Sequence, residues 1–265
     1  MISAMARSPL PIHVGSRTFA EEKKQRSQSL HTRIAEDLGL RIMGGKIKPG
    51  EILPREAELC EELGVSRTVL REAIKTLSAK GMITAKSKVG TVVNDRHQWN
   101  FFDPDLLVWL LSTENISEFL GKLFELRRAI EPVAASLAAQ NATFENFNDL
   151  HQAFEEMCAA TEDLEWWVHA DLRFHQAIYF STGSEFYWPI GQLLRPAFEA
   201  SFRISSSAEH HQHCLAEHRE IRDAILARDP SRASAAVITL LAVSDYDVAR
   251  ALGQNGSQSG ARKAI

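Results

Sequence analysis

The sequence predicts a mainly α-helical chain: an amino-terminal winged helix-turn-helix, helical with a small β-hairpin wing, then a carboxy-terminal all-α bundle. Three observations predict it. Residues 53–93 read as a short helix, a tight turn at Gly64, a second helix opened by Ser66, and two strands near 82–86 and 91–94. Beyond Ser117 the apolar spacing stays helical through segments at 117–140, 143–160, 162–182, 185–206, 210–228 and 231–252, with stops such as Asn141, Gly183 and Asp229-Pro230. No stretch between those segments alternates with period two, so a bundle of about six or seven helices is expected there.

Composition bounds the class of work. A chain of 265 residues, 45% hydrophobic and 24% charged, can bury two cores. No run of 18 or more apolar residues is present, which excludes a transmembrane helix and any membrane role built on one. The first twenty residues lack the apolar centre of a secretory signal, and Cys60, Cys158 and Cys214 show no paired spacing. A reducing cytoplasm is expected. The net charge of −4 divides unevenly: residues 1–94 carry 16 Lys and Arg against 10 Asp and Glu, leaving the remainder at −10. A basic first third with an acidic remainder fits a chain of which only the first part meets phosphate.

Taken in order, residues 1–28 hold Pro9, Pro11, Gly15 and a polar run, and are expected to be a disordered leader. The reader is expected over 29–95. Its first helix, 29–43, carries Leu30, Ile34, Leu38 and Ile42 on one face and stops at Gly44-Gly45. Lys48-Pro49-Gly50 makes a turn, and Pro54 can open the next helix, whose buried side is Leu59 and Leu63 with Ala57 and Cys60 close by. Gly64 supplies a left-handed turn and Ser66 an N-cap. Val69, Leu70, Ala73, Ile74 and Leu77 then face inward. That leaves Arg67, Thr68, Arg71 and Lys75 outward, where a recognition helix presents its contacts. Lys80-Gly81 ends this helix, and Lys86, Lys88 and Gly90 sit at the wing tip. Residues 96–112 form a linker with a short helix at 105–111. Trp99, Phe101, Phe102, Trp109 and Leu110 make it too apolar for a free tether. The bundle is expected over 113–253, with a disordered Gly, Ser, Gln and Asn-rich tail at 254–265.

The run LPREAELCEELGVSRTVLREAIKTLSAKGMI…GTVV resembles the DNA-binding domain of the GntR family of bacterial transcription regulators, over Ile34 to Asn94 without gaps. The resemblance implies double-stranded DNA as partner. Arg67, Thr68 and Arg71 would meet bases and phosphates, Ser66 and Lys75 would flank them, and the wing tip would enter the minor groove. One position departs. The family has an arginine in the helix before the turn where this chain has Ala57, and Arg55 stands two residues earlier.

In the second part, seven of the ten histidines fall between His151 and His218. Asp171 and His175 are four apart on one helix and share a face; His218 could join them from another helix. Such a pair is either a helix-surface hydrogen bond or two ligands of a cation. Imidazole with carboxylate suits Zn, Ni, Mn or Fe, zinc foremost. Arg127 with Glu131-Pro132, Asp171 with Phe174-His175, and Glu217-His218 with Ile221, Ala224 and Ile225 resemble the FCD ligand-binding domain of the FadR-type subfamily. That resemblance implies a divalent cation on Asp171, His175 and His218. A further histidine of the pattern is replaced here by Leu240, with His211 a possible stand-in and His169 and His213 poorer ones. It also points Arg127 into the cavity with Glu131 one turn on, where the two either form an internal salt bridge or meet the effector. Arg203 is a second charge reader, since a guanidinium opposite a metal grips a carboxylate from both sides.

The linker HQWNFFDPDLLVWL is similar to that of galactonate-operon repressors in this subfamily. The expectation is a homodimeric repressor on a palindromic operator, released by a small carboxylate, an aldonate or another organic acid. A metal-dependent hydrolase or lyase is the competing class, but no nucleophile–base pair accompanies the ligands and the reader would have no role. An architectural DNA binder with an empty bundle is the third.

Overall fold

The computed structural model describes residues 29–112, 116–205 and 208–253, and the side chains of all of these except 208–213. The expected leader and tail lie outside the described residues, as do the side chains of His211 and His213.

The reader opens with α1 (Leu30–Met43), whose buried stripe is Ala35, Leu38, Gly39 and Ile42. This differs from the expected stripe: Leu30 is 48% exposed and Ile34 only half-buried. The helix turns Gly39 inward because the Trp109 ring lies against its backbone; a Cβ there would come within 2.6 Å of the ring. Helix α2 (Glu56–Leu63) starts two residues after Pro54. Arg55 is its N-cap, and the Glu58 carboxylate accepts the Arg55 N–H at 3.1 Å, so Pro54 is not the first helical residue. Gly64 adopts the left-handed conformation at φ 65°. Helix α3 (Arg67–Ala79) begins where the Ser66 hydroxyl accepts from the Val69 N–H, and buries Leu70, Ala73 and Leu77.

Strands β1 (Ile83–Lys86) and β2 (Gly90–Val93) pair antiparallel, with Ile83 opposite Val93 and Lys86 opposite Gly90. The chain that leaves the Lys48-Pro49-Gly50 turn forms a bridge to β2, with Ile52 opposite Val92. The Gly50 and Leu53 N–H groups donate to the carbonyls of Val93 and Thr91 at 2.8 Å, and the Val93 N–H donates to the Glu51 carbonyl at 2.9 Å. The wing is thereby tied back to the chain that precedes α2.

The linker is packed, as its aromatic content requires. Trp99 is buried with its indole N–H on the Asn94 carbonyl, and the Arg96 guanidinium lies over the Trp99 and Phe101 rings; Phe102 alone stays largely exposed, at 64%. Helix α4 (Pro104–Leu111) is capped by Asp103. Lys80, which follows α3, is 4% exposed. Its ammonium donates to Asp103 Oδ1 at 2.6 Å and Asp105 Oδ2 at 2.9 Å, and sits 5.3 Å from the centre of the Trp109 ring. Gly81 must be glycine here: its φ is +73°, and a Cβ would stand 2.3 Å from the Gln98 carbonyl oxygen.

Among the described residues, six helices follow: α5 (Ile116–Asn141), α6 (Phe144–Ala159), α7 (Leu164–Ser181), α8 (Tyr187–Ser205), α9 (Ala208–Leu226) and α10 (Pro230–Ala251). Side-chain caps at Thr143, Asp163 and Asp229 set three of their starts. Helix α5 packs on α10 and α7, α8 on α7, and α4 lies between α8 of the bundle and α1 of the reader. Among the described residues, no helix is long and apolar enough to cross a membrane.

Candidate functional site

On the reader, every predicted contact residue is exposed: Arg55, Ser66, Arg67, Thr68, Arg71, Lys75, Lys86, Lys88 and Gly90. Two of the cations are already engaged. Arg71 Nε lies 3.1 and 3.3 Å from the two Glu56 carboxylate oxygens, and Lys75 Nζ donates to Glu72 at 2.8 Å. The Ser66 hydroxyl is committed to its helix cap. Ala57 is exposed on α2, not close to its buried side as the apolar pattern suggested. At the wing tip Lys88 takes a left-handed φ of 62°, turning the chain between the strands.

The charged groups of the bundle converge inside it. Helix α7 places Asp171 and His175 one turn apart on its inward face, and α9 brings His218 opposite. All three are buried, at 6%, 3% and 1% exposure. Asp171 Oδ1 lies 3.1 Å from His218 Nε2 and 3.4 Å from His175 Nε2, and a ligand atom from each of the three falls within 4.8 Å of the others. Phe174, Phe198 and Phe202 form the apolar wall around the two imidazoles.

The opposite edge of each ring decides what this arrangement can hold. His218 Nδ1 is 2.6 Å from the Cys214 carbonyl oxygen, which only accepts, so that nitrogen carries a proton. His175 Nδ1 faces Glu131 Oε2 at 3.3 Å. A neutral ring so oriented would leave each Nε2 free to join Asp171 Oδ1 as a ligand of a cation. Three donors that converge, the two imidazoles each oriented from behind by an acceptor, fit a divalent cation. The imidazole and carboxylate set suits Zn, Ni or Mn.

Glu131 belongs to a second buried pair. Arg127 Nε donates to Glu131 Oε1 at 2.6 Å, and the guanidinium carbon lies 5.0–5.3 Å from the centres of the Phe124, Phe198 and Phe202 rings. Burial alone would push the Glu131 carboxyl up, but Arg127 and His175 outweigh it and hold the group at about 2. Asp171 follows the same balance: burial raises it, and His218 and His175 bring it below the ordinary carboxylate range.

Of the predicted effector residues, Arg127 and Glu131 are therefore in the cluster and joined by the internal salt bridge that their spacing allowed. Arg203 is not. Its guanidinium is shared between Glu165 and Glu199 and ties the start of α7 to the last turns of α8. Leu240 is buried in α10 with 1% exposure. Sequence reasoning missed the Cys214 carbonyl behind His218 and the role of Glu131 behind His175, because both depend on which way a ring edge turns. It also missed Tyr179, although the four-residue row Asp171, His175, Tyr179 was there to be read.

Comparison with known proteins agrees with this division. Residues 30–93 match the bacterial regulatory proteins of the gntR family, and residues 122–243 match the FCD domain. The chain is 36% identical to the galactonate operon transcriptional repressor of Escherichia coli K12, over 80% of this chain and 93% of that protein. It is 37% identical to the uncharacterised HTH-type regulator YieP of the same organism, over 78% and 90%. Among solved structures it is similar to Lar of Listeria monocytogenes, with a TM-score of 0.57 at 22% identity over 82% of this chain and 96% of that one, which speaks to the fold alone. The chain belongs to the gntR family of bacterial regulatory proteins, as a DNA-binding transcription regulator whose reader is followed by an FCD domain.

Proposed function

We propose that this regulator represses a sugar-acid catabolic operon and leaves its operator when a small carboxylate, galactonate or a related aldonate, binds at the centre of the bundle. The observation that carries the reading is the convergence of Asp171 Oδ1 with the Nε2 atoms of His175 and His218. A divalent cation held by these three, zinc first among the candidates, supplies a Lewis-acidic partner for the effector's carboxylate. Arg127 and Glu131 are the protein's own charged groups beside it. The printed description of the 36% identical relative, a galactonate operon repressor, supports the choice of acid.

On the DNA side, Arg67, Thr68 and Arg71 read bases and phosphates, Arg55, Ser66 and Lys75 flank them, and Lys86, Lys88 and Gly90 approach through the wing. A homodimer places two such readers on a palindrome with half-sites about one helical turn apart.

The test uses the purified full-length chain. Bound metal is measured by elemental analysis, and affinity for DNA selected from a random pool is followed by fluorescence anisotropy during titration with D-galactonate. D-galactonate is expected to release the DNA, and prior chelation to abolish that release. If no sugar acid alters DNA affinity while an unrelated metabolite does, the assignment of effector is wrong.

A further inference from the structure

The cluster at the centre of the bundle contains polar atoms that its own residues leave unused. Among the described residues, Arg127 Nη1 and Tyr179 Oη are buried and have no hydrogen-bond partner. Tyr179 is the third member of the α7 row that begins with Asp171 and His175, each one turn from the last, so it continues the same inward face. Across from that row, α5 presents Arg127 and Glu131 at the same spacing, and Glu131 reaches His175. The phenol's nearest charged influences are those two α5 residues.

The ring of Tyr179 is fixed by packing, not by its hydroxyl. It stacks on Tyr187 at 6.4 Å between centres and lies so close to α8 that a Cβ on Gly191 would stand 2.8 Å from Tyr179 Cδ2. A phenylalanine would satisfy every one of those contacts. The hydroxyl instead carries the cost of a buried polar group without a partner. Burial also keeps the phenol protonated, so it offers an O–H together with an acceptor lone pair.

We infer that Tyr179 Oη and Arg127 Nη1 hydrogen-bond a hydroxyl group of the effector beside its carboxylate, which makes Tyr179 the residue that sorts hydroxylated acids from their deoxy counterparts. This rests on the effector reading above. A site built to pair with a substrate hydroxyl discriminates strongly against the analogue that lacks it, because the site's own polar atoms are then left unmatched.

Calorimetry on the metal-loaded full-length protein tests it, with D-galactonate and hexanoate as probes, the latter a six-carbon acid without hydroxyls. Tyr179→Phe is expected to weaken D-galactonate binding by about 10- to 100-fold while hexanoate affinity is unchanged. The variant's melting temperature is expected to stay at or above that of the parent, since the change removes only an unpaired buried hydroxyl. Parental affinity of Tyr179→Phe for D-galactonate overturns the role of Tyr179 and leaves the effector reading standing. Equal weakening for both acids, or a lowered melting temperature, assigns Tyr179 to structure and also overturns it. Failure of the parent protein to bind either acid removes the effector reading and this inference with it.

Discussion

Arg71 on the recognition helix and Arg127 in the bundle are each paired with one glutamate, and the two pairs could hardly live in more different surroundings. The Arg71 and Glu56 side chains are 64% and 50% exposed, whereas those of Arg127 and Glu131 are 1% and 4% exposed. In water the first pair contributes little and exchanges partners readily, so a phosphate can replace Glu56 at small cost. In the interior neither member of the second pair can be removed without stranding the other's charge. The reader thus holds Arg71 in an exchangeable surface pair, and the bundle holds Arg127 in a fixed interior one.

The largest effect is expected where that difference is broken from the inside. Glu131→Ala leaves Arg127 buried and unpaired, and should cost about 3–5 kcal/mol in denaturant unfolding. A loss below about 1 kcal/mol would show that the guanidinium reaches water or another partner. Acid unfolding probes the same group. Because the fold holds the Glu131 carboxyl at about 2, below its ordinary value, its contribution is complete above pH of about 4.5 and is lost as pH falls toward 2. The slope of stability against pH across that window should be shallower in Glu131→Gln than in the parent. An identical slope would assign the acid sensitivity to Asp171 and its histidines.

Of intermediate size is the buried cation that joins the two regions. Lys80→Met removes the ammonium from Asp103 and Asp105 but keeps much of the stem's packing, and should destabilise by about 1–3 kcal/mol. DNA affinity is expected to persist while its response to the effector weakens; an unchanged response would separate this contact from signalling. The smallest stability change belongs to the surface pair. Arg71→Ala and Glu56→Ala should each alter unfolding by less than about 1 kcal/mol. Their effects on DNA should be opposite in sign: a loss of about 10- to 100-fold in affinity for Arg71→Ala and a modest gain for Glu56→Ala. Retained affinity in Arg71→Ala would move the reading function to Arg67 and the wing.

Much of this was legible along the chain, because it depends on local chemistry. The Gly64 turn, the Ser66 cap, the hairpin and the six bundle helices follow from side chains acting on their own backbone. The Asp171, His175 and His218 set was also legible, since i,i+4 spacing fixes two of its members on one face. What escaped detection is set through space. The bridge that pairs Ile52 with Val92 depends on a partner forty residues away. Arg203 was drawn to Glu165 rather than to the cavity, and Lys80 read as a helix terminator because Asp103 and Asp105 lie beyond the wing. Ala57 fell on the outer face of α2 because that helix is short and buries only Leu59 fully.

The Lys80 clamp has a mechanical corollary. Lys80 closes α3 at one end and Arg67 opens it at the other, and at 1.5 Å per residue the two stand roughly 20 Å apart along a single rod. If that rod pivots by about 10° at its clamped end, the Arg67 end sweeps about 3 Å, several times the spread of distances a hydrogen bond tolerates. A buried side chain at one end of α3 therefore sets the aim of the exposed Arg67 at the other.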